Sequence, residues 1–174
     1  MKDNKKTVSA LDVSQFLLSL DPERKYFTSK PMSFEEGWGN NPPAEGNFRL
    51  NKLLHILQIL YYVKEGKLLF SDDMIAYPYG AVVESVIKSF SNELVKLKVY
   101  PKANNVCPKQ QEFIKFIDNH FREYTNHELK DFSHDDPSWQ IARTKSDKIM
   151  SKEPDILKYW KDFYQHVLEE IEEK

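Results

Sequence analysis

The chain of 174 residues has one cysteine, Cys107, so it can form neither an intrachain disulfide nor a cysteine cluster for zinc. Its five glycines are dispersed and leave no phosphate-cradling loop. No G-x-S-x-G elbow, H-E-x-x-H pair or Cys-x-x-Cys is present. Long apolar runs are lacking too. The most apolar stretch, Leu50 to Val63, is too short for a membrane span and contains Asn51, Lys52, His55 and Gln58. The N-terminus starts basic, but Asp12, Ser14 and Gln15 interrupt its apolar part, unlike a signal sequence. A cytoplasmic protein is expected. An excess of one charge is also missing: 25 basic and 27 acidic residues give a net charge of -2. That matches a nucleic-acid backbone poorly, and the one short lysine cluster is Lys2, Lys5 and Lys6. Direct nucleic-acid binding is not expected.

What is present suits one well-filled core. A chain of this length buries roughly 70% of its unfolded surface, enough to need no metal or disulfide. A single domain over residues 1–174 is expected, and the 13% aromatic share would fill its core or supply an interface. Ser9 to Leu20 reads as a first helix, with Ser9 and Asp12 as a capping box. Residues 21–48 hold four of nine prolines and three of five glycines, which predicts a long loop. Phe27, Met32, Phe34 and Trp38 predict that this loop packs partly onto the body. Arg49 to Glu65 is apolar on most sides, a pattern for the middle of a bundle, with Gly66 as its C-terminal cap.

Leu68 to Phe70 and Met74 to Tyr77 read as two short strands around Ser71-Asp72-Asp73. A helix is expected from Gly80 to Phe90, running on through Leu94 and Leu97. Pro108 opens another towards Tyr124, carrying Phe113, Phe116, Ile117, His120 and Phe121 inward. Short helices follow from Asn126 and over Pro137 to Arg143. A C-terminal helix at about 153–173 carries the stripe Ile156, Trp160, Phe163, Val167 and Ile171. The fold class is mainly α, a compact helical bundle with a small β-hairpin.

The residues point to no cofactor. His120, His127 and His134, with Asp131, Asp135 and Asp136 nearby, form the one set that could be weighed as metal ligands. Their seven-residue spacing needs one continuous helix, and Tyr124-Thr125-Asn126 looks like a break. The plainer reading makes His120 a core-edge residue, leaves His127 exposed and lets His134 orient a turn. The acidic pairs suit solvated ends and turns, with Asp72-Asp73 in a turn.

Two stretches carry a resemblance. LNKLLHILQILYYVKEGKLLFSDDMIAYPYGAVVESVIKSF, Leu50 to Phe90, contains a "KLLYFAQ"-like helix, a Gly-x-x-Leu-Phe turn and an aromatic residue before a glycine. HELKDFSHDDPSWQIAR, His127 to Arg143, contains a Ser-His-x-x-x-Trp segment. Together they resemble the SocA-like family, or Panacea domain, which includes phage-associated proteins. Ala81 departs from the usual proline after the glycine, and the connection over residues 21–48 is longer than the family pattern. Both departures bear on the partner more than on the fold.

The resemblance implies an antitoxin-like domain of bacteria or phage that neutralises a toxin encoded beside it. Some relatives act as adaptors that deliver the toxin to a protease. Its marked positions fall on Tyr79, Gly80, Ser133, His134, Pro137 and Trp139. Each also has a structural reading: Gly80 as a tight turn, Tyr79 and Trp139 as core-rim aromatics, His134 as a tie to a backbone carbonyl. Covering a toxin's working surface needs no catalytic group. The anchors would lie among Phe34, Trp38, Tyr77, Tyr79 and Arg143. A small metal-binding hydrolase is the remote alternative.

Overall fold

The computed structural model describes residues 8–32, 42–90, 105–150 and 152–174. Its described residues form seven helices and one antiparallel pair of strands, so the chain is mainly α with a small hairpin. The expected anchors Phe34 and Trp38, and Leu94 and Leu97, lie outside the described residues.

Helix α1 (Ala10–Ser19) starts where its capping box predicts: the Ser9 hydroxyl accepts from Asp12 N, and Asp12 reaches back to Ser9 N. Asp72 adds a distant cap by accepting the Ala10 N–H at 2.8 Å. It therefore serves the start of α1, while Asp73 pairs with Lys152, and the expected turn at these two residues is not there. Beyond α1, buried Asp21 accepts from the N–H groups of Lys25, Tyr26 and Phe27. That turn seats Phe27 in the core at 1% exposure.

Helix α2 (Glu45–Glu65) begins four residues before the expected Arg49. Its first turn bonds to the preceding loop through Glu45 N to Lys30 O and Gly46 N to Thr28 O. A Cβ on Gly46 would sit 2.5 Å from the Phe27 carbonyl carbon, so only glycine permits this crossing. Seventeen of the 21 residues of α2 are buried, which makes it the central helix. Gly66 ends it in the left-handed conformation at φ 67°.

Strands β1 (Ile75–Tyr77) and β2 (Gly80–Val82) pair with Tyr77 opposite Gly80, so Pro78 and Tyr79 form the turn. The strand expected at Leu68 to Phe70 is not one. That segment is apolar because it is buried, and the Gln58 side chain satisfies its backbone: Leu69 N and Phe70 N donate to Oε1, and Nε2 donates to Phe70 O. Residues 80–82 are likewise strand rather than helix, and α3 (Glu84–Ser89) starts only after them. Ala76 sends its N–H to Lys148 O and receives Arg143 on its carbonyl. The ladder bonds between the strands therefore fall on the flanking pairs, and Ala81 occupies a non-hydrogen-bonded position.

Helix α4 (Pro108–Phe121) opens on Pro108 as expected. It buries Phe113, Ile114, Ile117 and Phe121, but Phe116 is 39% exposed and His120 only half-buried, so two expected inward residues face the edge. Buried Arg49 of α2 donates to the carbonyls of Phe121, Arg122 and Tyr124, satisfying the end of α4. Helices α5 (Asn126–Asp135) and α6 (Pro137–Thr144) meet at an elbow, and α7 (Pro154–Glu172) packs on α2. The buried stripe of α7 is Trp160, Tyr164, Leu168 and Ile171. Phe163, expected inward, is 45% exposed because it lies one residue, about 100° of helix rotation, off that stripe. Among the described residues, no helix is long and apolar enough to cross a membrane.

Candidate partner-binding site at the hairpin and helical elbow

One side of α2 carries Asn47, Asn51, His55 and Gln58, all at 1% exposure or less. Their spacing of four, four and three residues puts them in a single stripe. Buried polar groups are costly unless bonded, and each of these has partners. Asn47 donates to Ile87 O of α3, and Asn51 accepts the Val83 N–H at the start of that helix. Gln58 holds the Leu69-Phe70 segment, as above.

His55 ties α2 to the elbow. Its Nδ1 lies 2.7 Å from Ser133 Oγ and its Nε2 lies 2.7 Å from Asp136 Oδ2. The carboxylate accepts, so Nε2 carries a proton. Asp136 also caps α6 by accepting from Ser138 N at 2.9 Å and Ser138 Oγ at 2.6 Å. Trp160 Nε1 of α7 donates to Asp136 Oδ1 at 3.2 Å, so one carboxylate joins α2, α6 and α7. Pro137 occupies the first turn of α6, where its missing N–H removes no bond. Ser133, His55 and Asp136 align like a nucleophile, base and orienter. All three are at 0% exposure, which places the line inside the core and fits a joint rather than a reaction centre.

Above this joint sits the hairpin turn. Trp139 Nε1 of α6 donates to Tyr77 O at 3.1 Å, and His134 Nε2 of α5 donates to Pro78 O at 3.1 Å. The His134 and Trp139 rings stack, 4.4 Å apart and 18° from parallel. Burial lowers the His134 pKa from its ordinary value, and nearby Lys130 reinforces this. The Pro78 carbonyl requires a proton on Nε2 and by itself favours the charged ring, so it opposes the effect of burial. Arg143, one helical turn beyond Trp139, donates to Ala76 O at 2.9 Å.

Gly80 is required twice. Its φ of 107° is left-handed, and a Cβ there would come 2.8 Å from Lys52 Cε and 2.9 Å from Ser133 Cβ. The turn thus rests directly on α2 and α5.

Tyr79, Gly80, Ser133, His134, Pro137 and Trp139 therefore converge on one junction. Gly80 and Ser133 are buried in it, while Tyr79, His134, Pro137 and Trp139 are half-buried at its rim. Tyr77 and Arg143 border the same rim, both half-buried. Between α2 and the hairpin runs a narrow groove with about 20 Å³ of water-sized space, lined by Phe48, Lys52, Tyr77, Tyr79, Val82 and Ile87, among others. A larger hollow of about 270 Å³ between α2 and α4 shares none of these residues, and the Lys109–Glu65 ion pair borders it. The groove at the rim is the better candidate because the joint fixes its walls.

The residues that sequence reasoning missed are those of the polar stripe and its partner Asp136. The signal was present: Asn47, Asn51, His55 and Gln58 recur at helical spacing inside an otherwise apolar helix. The histidines weighed as a metal set do not combine. His127 pairs loosely with Asp131 at 3.7 Å, and His120 packs on Phe121 and Tyr124. Among the described residues, no group of three or more His, Cys, Asp or Glu could hold a metal ion.

Compared with known proteins, the chain has no match among curated proteins and none among solved structures. The family model for the antitoxin SocA-like, Panacea domain matches residues 50–140, from within α2 to the middle of α6. That span covers just over half of the chain and includes Asn51, His55 and Gln58 of the stripe, the hairpin and the elbow, so the chain belongs to the antitoxin SocA-like, Panacea domain family.

Proposed function

We propose that this protein is an antitoxin that neutralises a toxin encoded beside it by covering the toxin's working surface. The observation that carries this reading is the convergence of the family's marked positions at a half-exposed rim fixed from beneath. Tyr77, Tyr79, Trp139 and Arg143 offer aromatic and Arg anchors, the residue types that dominate binding energy at interfaces. Their backbones and rings are held by hydrogen bonds or packing, which lowers the cost of ordering them on association. Phe34 and Trp38 would extend the contact from the long loop. An interface of ordinary size would bury about 1,600 Å² in total. Occlusion asks for no catalytic group, and the Asp136–His55–Ser133 line is sealed in the core.

The test is to express the neighbouring gene from an inducible promoter, with and without this chain, and to follow growth. Toxicity that this chain relieves supports the reading; a harmless neighbour, or toxicity left untouched, overturns it. The neighbour's protein level separates mechanisms: a level held steady is occlusion, and a falling level is delivery to a protease. At the rim, Tyr79→Ala should weaken the complex by about 2 kcal/mol in a protein that still folds, read by calorimetry.

A further inference from the structure

Lys52 is a charged side chain in the core for which the fold itself has little use. It is 1% exposed on α2, donates to Ala81 O at 3.0 Å and lies 4.6 Å over the Phe48 ring. Burial alone lowers its pKa to about 7. Among the described residues no carboxylate pairs with it, and the buried acids serve other groups. Asp136 is engaged by His55, Ser138 and Trp160, Asp118 by Arg122, and Asp21 by backbone N–H groups. An ammonium has three protons to place. Only one goes to a described oxygen, and the side chain lines the groove beside Tyr77 and Tyr79.

We propose that this groove receives an acidic anchor of the protein partner, an Asp or Glu carboxylate that enters beside Tyr77 and Tyr79 and pairs with Lys52. The inference rests on the antitoxin reading and specifies the partner's chemistry at that same rim. Charge complementarity selects this occupant. The lined walls are mostly apolar, so water is largely excluded and a charge pair is stronger than at an open surface. Lys52 and Lys130 both act on His134 at the same rim, opposed there by Asp131. An apolar anchor would gain the walls but leave the ammonium unpaired. A cationic one would be repelled.

The test uses the neighbouring gene's product as the probe. Lys52→Met keeps all but the last atom of the side chain's length and removes its charge; circular dichroism and a melting curve establish that it folds. Its affinity for that product should fall at least tenfold. On the partner, Asp→Asn and Glu→Gln substitutions across the bound surface should include one position with a similar loss. Combined with Lys52→Met, that substitution should add little further loss, the mark of a direct pair. Lys52→Met binding within twofold of the unaltered protein overturns the inference, as does full additivity at every acidic position of the partner. The partner substitutions decide the matter even if Lys52→Met folds poorly. If the unaltered chain forms no complex at all, the antitoxin reading itself fails and takes this inference with it.

Discussion

Two flanks of α2 are held by different physics. One is apolar: Leu50, Leu53, Leu54, Leu57 and Leu60 are at 0% exposure, and α7 adds Trp160, Tyr164, Leu168 and Ile171 to the same core. The other is the stripe of Asn47, Asn51, His55 and Gln58, bonded to α3, the elbow and the Leu69-Phe70 segment. Apolar contact is nearly non-directional, so such a flank tolerates repacking when volume is kept. Hydrogen bonds demand fixed partners at fixed angles, and a half-satisfied network is worse than none. The apolar flank supplies most of the stability, and the polar flank fixes where the hairpin and elbow stand. Since Tyr79, Gly80, Ser133, His134, Pro137 and Trp139 all lie at that second junction, shape there matters more than bulk.

The comparison breaks most sharply at Asp136. Asp136→Ala removes an acceptor of His55, Ser138 and Trp160 together: His55 Nε2 and both Ser138 donors lose their partner, and Trp160 keeps only Ser138 Oγ. It should cost about 4 kcal/mol in urea unfolding, as much as an apolar truncation of far greater volume. A loss below about 1 kcal/mol would show that the network is ornamental. Gly80→Ala comes next. It adds one methyl group, yet strains a left-handed residue and presses on Lys52 and Ser133, so it should cost about 3 kcal/mol.

Lys52 sharpens the contrast through pH. Its pKa is lowered to about 7 in the folded chain from an ordinary 10.5. Below pH 7 it is protonated folded and unfolded, and the burial penalty acts in full. Between about 7 and 10.5 the unfolded chain keeps a proton that the folded chain has lost. Stability from this group therefore rises with pH across that window. Lys52→Met has no such proton, so its stability gain over the unaltered chain should be largest at pH 6. By pH 9 that gain should shrink by about 2.5 kcal/mol, measured by urea unfolding at each pH. A gain independent of pH would mean that Lys52 titrates normally.

How much of this was legible follows the same division. Three helix starts were readable because they depend on local chemistry, Ser9 with Asp12, Pro108, and the break before Asn126 capped by Thr125, while those of α2 and α3 were each four residues off. The apolar core of α2 was readable from its periodicity. The hairpin was displaced because burial makes Leu68 to Phe70 look like a strand, and only Gln58, eleven residues away from Leu69, shows otherwise. On α7 two neighbouring aromatics, Phe163 and Tyr164, offer alternative stripes, and tertiary contact chooses the second. The resemblance to the family marked Ser133 and His134, but not that Ser133 faces a histidine 78 residues earlier. The stripe on α2 shows in its spacing, but the distant residues it bonds to do not.

The smallest effect isolates one oxygen on each flank. Tyr164 belongs to the apolar side, stacked on Phe132 at 5.1 Å, with its hydroxyl buried and without a partner among the described residues. Burial, with Asp136 and Asp135 adding to it, raises its pKa, so the phenol stays protonated. Tyr164→Phe removes an unsatisfied group without leaving a space larger than that oxygen. It should raise stability by about 1 kcal/mol. Ser133→Ala also deletes a single oxygen, but one that lies 2.7 Å from His55 Nδ1. It should lower stability by about 1 to 2 kcal/mol, because it leaves a buried ring nitrogen alone. Opposite signs for two such similar deletions, in one set of unfolding curves, would tie the difference to the partner and not to the atom. Equal signs would mean that the two flanks are not distinct in kind, and that the junction beneath the hairpin is ordinary core.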